Sequence, residues 1–169
     1  MSISRALIFL ILLVALALGQ DLRVVRPAGI GPAKIGMTLP QLNAALHEHF
    51  AMPKEKGDQG CFYANPRSHP QLAVMIEDGH LTRLDVNKPG ISTVEGVQVG
   101  DTEARAKSVY GRKLKIEPSK YTGDEGGNYL TLQSANEKYG VRFETEKGKK
   151  ITEFYAGTNT AIRYVEGCE

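Results

Sequence analysis

The stretch Leu72-Ala-Val-Met-Ile-Glu-Asp-Gly-His-Leu-Thr-Arg-Leu-Asp-Val86 predicts a β-hairpin. Two segments rich in apolar residues flank Asp78-Gly79, a pair that favours tight hairpin turns. A second stretch, Gly140-Val-Arg-Phe-Glu-Thr-Glu-Lys-Gly-Lys-Lys-Ile-Thr-Glu-Phe154, turns at Lys147-Gly148 in the same way. In the second stretch apolar and polar residues alternate, so we expect one packed face and one solvated face of a sheet. The alternating residues are Val141, Phe143 and Thr145 against Arg142, Glu144 and Glu146.

Further strands are expected around these hairpins. Cys61–Ala64 and Asn128–Gln133 precede the first and second hairpin, and residues 161–165 are predicted to add a last strand. The segments 57–60 and 122–127 are rich in glycine and polar residues, which is typical of exposed loops.

Two helices are predicted, each after a short β-branched segment and a glycine. Thr38 is the expected N-cap of the first, because its hydroxyl can accept a bond from a free N–H of the first turn. Its apolar residues are spaced three and four apart, and the helix is expected to end by Pro53. The second helix is expected to begin at Asp101 or Thr102 and to end at Gly111. The residues expected to pack inward are Leu39, Leu42, Leu46 and Phe50 in the first helix, and Ala106, Val109 and Tyr110 in the second.

The halves of the chain are similar to each other. Gly31-Pro-Ala-Lys-Ile-Gly-Met-Thr38 matches Glu95-Gly-Val-Gln-Val-Gly-Asp-Thr102, and each leads into a helix and then into strands. Self-similarity at a fixed period is a signature of repeated units. The predicted fold class is therefore α+β, with two tandem helix-plus-antiparallel-sheet repeats, residues 20–92 and 93–169, in one compact domain.

The opening Ile35-Gly-Met-Thr38, followed by a helix and strands, resembles the small lipoprotein subunit of the outer-membrane β-barrel assembly machine. Two such units in tandem resemble the β-lactamase inhibitor proteins of soil bacteria. The ending Arg163-Tyr-Val-Glu-Gly-Cys168 resembles that of uncharacterised exported bacterial proteins. The resemblance implies helices on one face of an antiparallel sheet and an open face that contacts a partner protein.

The chain also departs from both families. The lipoproteins carry a lipidated Cys at the mature N-terminus, and here no Cys follows the N-terminal apolar run. The inhibitors have a disulfide within each repeat, and here each half has one Cys. Neither family's activity is therefore carried over.

Residues 1–19 have the features of a cleavable signal peptide. A positive charge at Arg5 precedes an apolar run over 6–18, and small residues stand at Ala17 and Gly19. We expect cleavage between Gly19 and Gln20. The run is shorter than the roughly 20 residues of a membrane-spanning helix. Export to a periplasm or out of the cell is therefore predicted, without stable membrane insertion.

The composition of the chain limits which classes of partner and ligand are expected. Without residues 1–19 the chain has 20 basic and 19 acidic residues, since Arg5 is removed. Nucleic acids and acidic membrane surfaces require a clear basic excess, so neither is an expected partner. The chain has no Trp, which weakens a carbohydrate-binding interpretation.

The two cysteines, Cys61 and Cys168, are expected to form a structural disulfide, because an isolated pair in an oxidising compartment usually does. A free thiol or a redox pair is the alternative, although the spacing is unlike C-x-x-C. His47 and His49 are two residues apart and share no helix face, so no metal site is expected. No cofactor is expected.

The sequence contains no nucleophile elbow, phosphate loop or EF-hand spacing. We therefore expect an exported non-enzymatic protein-binding module, with an inhibitor or immunity protein as its most concrete form. The alternative is an envelope-assembly or scaffolding factor, and a hydrolase with carboxylates far apart in sequence ranks third. The partner is expected to be another exported or envelope protein. The candidate binding residues are Tyr129, Tyr139, Asp124 and Glu125.

Overall fold

The computed structural model describes residues 21–55, 60–147 and 149–168. The expected signal peptide lies outside these residues, as does Gly148 of the second predicted turn and most of the predicted loop 57–60. In chain order the strands and α-helices are β1 (Val24–Arg26), β2 (Gly29–Ile30), β3 (Ala33–Lys34), α1 (Leu39–Leu46), β4 (Cys61–Ala64), β5 (Leu72–Glu77), β6 (His80–Val86), β7 (Ser92–Thr93), α2 (Glu103–Tyr110), β8 (Leu114–Pro118), β9 (Asn128–Gln133), β10 (Tyr139–Thr145) and β11 (Ile151–Thr158).

Both predicted hairpins enter one antiparallel sheet of seven strands, in the order β4-β5-β6-β11-β10-β9-β8. The strands predicted at Cys61–Ala64 and Asn128–Gln133 are confirmed as β4 and β9. The predicted strand over 161–165 is wrong, because Ala161–Arg163 forms a 3₁₀ turn.

The predicted fold class, two helix-plus-sheet repeats, is wrong. The protein is mostly sheet, its two α-helices have eight residues each, and the hairpins of the two halves join through β6 and β11. A hairpin strand left at an edge exposes unpaired backbone groups, and pairing β6 with β11 satisfies them. Gly157 permits this pairing, because a Cβ there would lie 2.2 Å from the Thr82 carbonyl oxygen.

The β-branched segments before the helices also do not enter the main sheet. Ala33–Lys34 belongs to a second, four-stranded sheet of order β3-β2-β1-β7, and Gln98 forms only an isolated bridge with Ser92. In this small sheet β1 pairs in parallel with β7, which lies where the two predicted repeats meet.

Both helices begin where the sequence predicts. Thr38 and Thr102 are the N-caps, and each hydroxyl accepts a hydrogen bond from the backbone N–H three residues later. Helix α1 is shorter than predicted and ends at His47 in a left-handed conformation. The side chain of Asn43 then holds Phe50 by bonds to its N–H and carbonyl, so Phe50 packs from a loop.

The similarity between the halves corresponds to a shared way of docking each helix start on a hairpin. Gly36 N–H donates to the Leu81 carbonyl at 2.7 Å, and Gly100 N–H donates to the Ile151 carbonyl at 2.9 Å. Each bond places the turn before a helix beside the second strand of a hairpin. The repeated sequence pattern thus encodes a local junction, and pairing between the hairpins decides the architecture.

One hydrophobic core lies between the large sheet, the helices and the small sheet. The residues predicted to pack inward are buried, except that Phe50 and Val109 are partly buried at its margin. Over the described residues, no helix is long and apolar enough to cross a membrane. The largest fully buried side chains include Phe143, Phe154, Leu42, Leu72, Leu84 and Leu130.

Candidate functional site

The large sheet has a second face, opposite the hydrophobic core, that carries charged and aromatic side chains. Because side chains alternate along a strand, residues paired across antiparallel strands share a face. One row of paired residues crosses five strands from β6 to β8: Asp85, Tyr155, Arg142, Thr131 and Lys115. We call this surface the polar face.

Arg83 organises one side of the polar face. It is 2 % exposed, and its Nε and Nη2 donate to the two carboxylate oxygens of Asp85, each at 2.8 Å. Nη1 donates to the carbonyls of Ala161 at 2.8 Å and Tyr164 at 2.9 Å, and Nη2 also donates to the Tyr63 hydroxyl. All five guanidinium N–H donors therefore have acceptors.

Burial and charge compete at this ion pair. Burial raises the pKa of Asp85, and the Arg83 guanidinium opposes that rise. The ring of Tyr155 lies 4.4 Å from the guanidinium carbon of Arg83, a cation–π distance. Burial also raises the pKa of Tyr63 to about 12, so this phenol stays protonated at neutral pH.

The alternation of apolar and polar residues predicted that this face is solvated. Arg142 shows that part of the polar face is buried instead. It is 7 % exposed, and its guanidinium carbon lies 3.8 Å from the centre of the Tyr129 ring. Its Nε has no hydrogen-bond partner among the described residues, and neither does Oγ1 of Thr131, the residue opposite it on β9. Burial lowers the pKa of Arg142.

Two carboxylates lie opposite each other on the same face. Glu144 on β10 pairs in register with Glu153 on β11, and like charges in that position repel. Burial, followed by the Glu153 charge, raises the pKa of Glu144 to about 7. Glu144 is therefore protonated in a large fraction of molecules at neutral pH, and its ionisation places two like charges opposite each other.

The segment 159–168, which we call the C-terminal tail, crosses the polar face. The disulfide between Cys168 and Cys61 is confirmed and fixes the tail to β4 at one edge of the sheet. Glu166 binds Lys120 at 3.1 Å and accepts a hydrogen bond from the Tyr121 hydroxyl, and both partners follow β8 at the opposite edge. The tail therefore connects the two edge regions of the sheet.

The structure separates the four predicted binding residues. Tyr129 is only 4 % exposed, and its hydroxyl accepts a bond from the Lys120 N–H. Tyr139 is half-buried at the opposite end of the neighbouring strand and, by alternation, on the other face of the sheet. Asp124 and Glu125 lie exposed in a 3₁₀ turn over Gly123–Glu125.

Sequence reasoning missed Arg83, Asp85 and the Glu144–Glu153 pair. One signal was present, because Arg83 and Asp85 are two residues apart in a strand and must share a face. The Glu144–Glu153 contact depends on the register of the second hairpin, which has an irregularity between Glu144 and Thr145. Within the described ranges, no cluster of three or more His, Cys, Asp or Glu could hold a metal ion.

Comparison with known proteins finds little. No family model matches the chain, and no curated protein matches it. A solved structure of an extracellular protein containing a SCP domain, from Bacillus anthracis str. Ames, is 10 % identical with a TM-score of 0.45. The match covers 76 % of this chain and 46 % of that one, so the chain spans about half the length of that protein. A similarity this low carries no argument, and the resemblance to the inhibitor and lipoprotein families stays a prediction.

Proposed function

We propose that the chain is an exported, non-enzymatic protein-binding module, and that the Glu144–Glu153 pair receives a basic side chain of its partner. The observation that carries the proposal is the placement of two partly buried carboxylates directly opposite each other. A Lys or Arg from a partner would remove the repulsion between them on binding. The partner is thus another exported or envelope protein with an exposed basic residue.

The rest of the polar face supports this choice of contact. Arg83 neutralises Asp85 within the chain, whereas the ion pairs among the described residues include neither Glu144 nor Glu153. The cation nearest in register, Arg142, stacks on Tyr129. The two carboxylates therefore remain available to a cation from outside.

Export is supported by the disulfide. Cys61 and Cys168 are bonded, and structural disulfides persist in oxidising compartments such as the periplasm and the extracellular space. Both the periplasm and the extracellular space are compartments in which such a bridge is stable. An inhibitor or immunity protein remains the most concrete form of such a module.

Two other functions make different predictions. An envelope-assembly factor would remain with envelope fractions, whereas an inhibitor would be released freely. A hydrolase would use Glu144 and Glu153 as acid and nucleophile, an idea that the raised pKa of Glu144 favours. A hydrolase also needs a cavity that holds its substrate beside the carboxylates. Neither Glu144 nor Glu153 lines the cavities at the β8–β9 edge, beside the disulfide, at the end of α1 or beside Tyr139, which favours binding over hydrolysis.

The test is a quantitative capture experiment. The tagged full chain is expressed in its native host, cross-linked gently, and its partners are identified by mass spectrometry. We expect one dominant protein in near-stoichiometric yield, lost when Glu144→Gln and Glu153→Gln are combined. The matched control is Glu146→Gln, which removes the same charge from an exposed position two residues along.

Three outcomes separate the hypotheses. Loss of the partner with the double variant and retention with Glu146→Gln support the carboxylate contact. Equal capture of the partner by the native chain, the double variant and Glu146→Gln would show that the contact lies elsewhere. Absence of any protein partner, together with turnover of a glycan or ester panel that Glu144→Gln abolishes, would replace binding with hydrolysis.

A further inference from the structure

A cavity of about 310 Å³ lies where β8, β9 and the C-terminal tail meet. Three of its lining residues are cations, contributed by the turn after α2, by β8 and by the tail. We call it the basic cavity. Its lining residues are Lys113, Lys115 and Arg163, with Thr131, Gln133, Ser134, Ala135 and the carboxylate Glu137.

The positive charge of the basic cavity is only partly compensated. Lys115 binds Glu117 at 3.0 Å, outside the lining. Lys113 and Arg163 take part in no ion pair among the residues that the structure describes. With Glu137 as the single acidic lining residue, the cavity carries a net positive charge.

A buried hydroxyl without a partner lines the same cavity. Thr131 is 2 % exposed, and its Oγ1 has no hydrogen-bond partner among the described residues. Buried polar atoms are nearly always satisfied, so such an atom at a cavity wall indicates a missing ligand or water. Arg142, which pairs with Thr131 on the neighbouring strand, also has an unpartnered Nε, so a second unsatisfied donor lies close to this part of the sheet.

We infer that the basic cavity binds a phosphate or sulfate group. A doubly charged tetrahedral oxyanion matches two unpaired cations, one of them an arginine that can bind two oxygens at once. The Thr131 hydroxyl can donate to a third oxygen, which would satisfy it. The cavity is larger than the bare ion, so it leaves room for the molecule that carries the group. This site uses none of the residues of the proposed protein contact.

The test is a titration of the full chain with sodium phosphate, at constant ionic strength set by sodium chloride, followed by ¹H–¹⁵N NMR. We expect saturable shifts at the amides of Thr131, Gln133 and Arg163. Sodium sulfate is expected to bind with similar affinity. Sodium acetate, with a single charge, is expected to bind at least about tenfold more weakly.

Variants connect the binding to individual side chains. Arg163→Gln and Lys113→Gln should each weaken phosphate binding at least about fivefold. Arg112→Gln is the matched control, because Arg112 is an exposed cation next to Lys113 but outside the lining, and it should change affinity less than about twofold. Thr131→Val should weaken binding without destabilising the free protein, because it removes a hydroxyl that has no partner.

Other results would overturn the inference. These are linear shifts spread over surface lysines, equal weakening by Arg112→Gln and Arg163→Gln, or acetate binding as tightly as phosphate. Combining Glu144→Gln and Glu153→Gln should leave phosphate binding at least as tight, since it removes negative charge from the same face. Failure of the protein contact and failure of the phosphate site are therefore distinguishable.

Discussion

Arg83 and Arg142 lie on the same face of the same sheet, and both are almost fully buried. Arg83 donates to a carboxylate, two backbone carbonyls and a phenol. Arg142 stacks on Tyr129, and the structure records no hydrogen bond from its side chain within the described ranges. The Arg83 region is therefore closed by the protein's own groups, whereas the Arg142 region is incomplete.

The two buried arginines therefore call for different explanations. A buried charge that is paired and fully hydrogen-bonded can be explained by the fold alone. A buried charge beside an unpartnered hydroxyl and a repelling carboxylate pair needs an external partner, or else lowers stability without compensation. Both proposed contacts, the Glu144–Glu153 pair and the basic cavity, flank Arg142.

The largest expected effect comes from opening the disulfide. The bridge spans 107 residues, and the chain-entropy model gives about 4–5 kcal/mol for a loop of that length. Combining Cys61→Ser and Cys168→Ser should lower the free energy of unfolding in urea by that order. Loss of the bridge should also release the tail, whose carbonyls bind Arg83. A substitution of Arg83 should therefore lower the free energy of unfolding less in the double variant than in the native protein. Strict additivity of the two effects would show that the tail stays in place without the bridge.

The next effect is that of Arg83→Met. It leaves Asp85 buried without its cation and removes the donor to two carbonyls, so we expect a loss of about 3–4 kcal/mol in the free energy of unfolding. Chemical denaturation at pH 7 measures it. A loss below about 1 kcal/mol would mean that Arg83 is no more important to the fold than Arg142.

A smaller, pH-dependent effect is expected for Glu144→Gln. The folded-state pKa of Glu144 is raised to about 7 from 4.5, so the folded chain holds its proton more tightly than the unfolded chain. Stability should therefore fall as pH rises from about 4.5 to 7 and level off above that. The variant should remove this loss, a gain of about 1–2 kcal/mol at pH 8 after allowance for solvent screening. Parallel stability curves for the two proteins between pH 5 and 8 would contradict the raised pKa.

The smallest effect is that of Arg142→Met. The substitution removes a buried charge with an unpartnered Nε and keeps contact with the Tyr129 ring. We expect the free energy of unfolding to change by less than about 1 kcal/mol in either direction. The same denaturation assay measures it beside Arg83→Met. Equal losses for the two variants would remove the distinction between the two regions.

Local chemistry was predictable from the sequence. The Asp78-Gly79 turn, the threonine caps and the disulfide each depend on residues whose preferences hold in most contexts. The joining of the two hairpins was not predictable, because the β6–β11 pairing brings together strands about 70 residues apart. Two of the hydrogen-bond acceptors of Arg83 could not be predicted for the same reason, since they are the carbonyls of Ala161 and Tyr164 in the tail.

The spacing of Cys61 and Cys168 also determines when, during synthesis of the chain, the disulfide can form. The chain contains two cysteines, so its own sequence allows a single intramolecular pairing and no mispaired isomers. Cys61 is nevertheless made 107 residues before its partner, an interval of about 5–20 s at ordinary translation rates. During that interval Cys61 has no intramolecular partner, so its oxidation can give only a mixed disulfide with another molecule or a sulfenic acid. The native bridge forms once Cys168 has been made, with no choice between pairings.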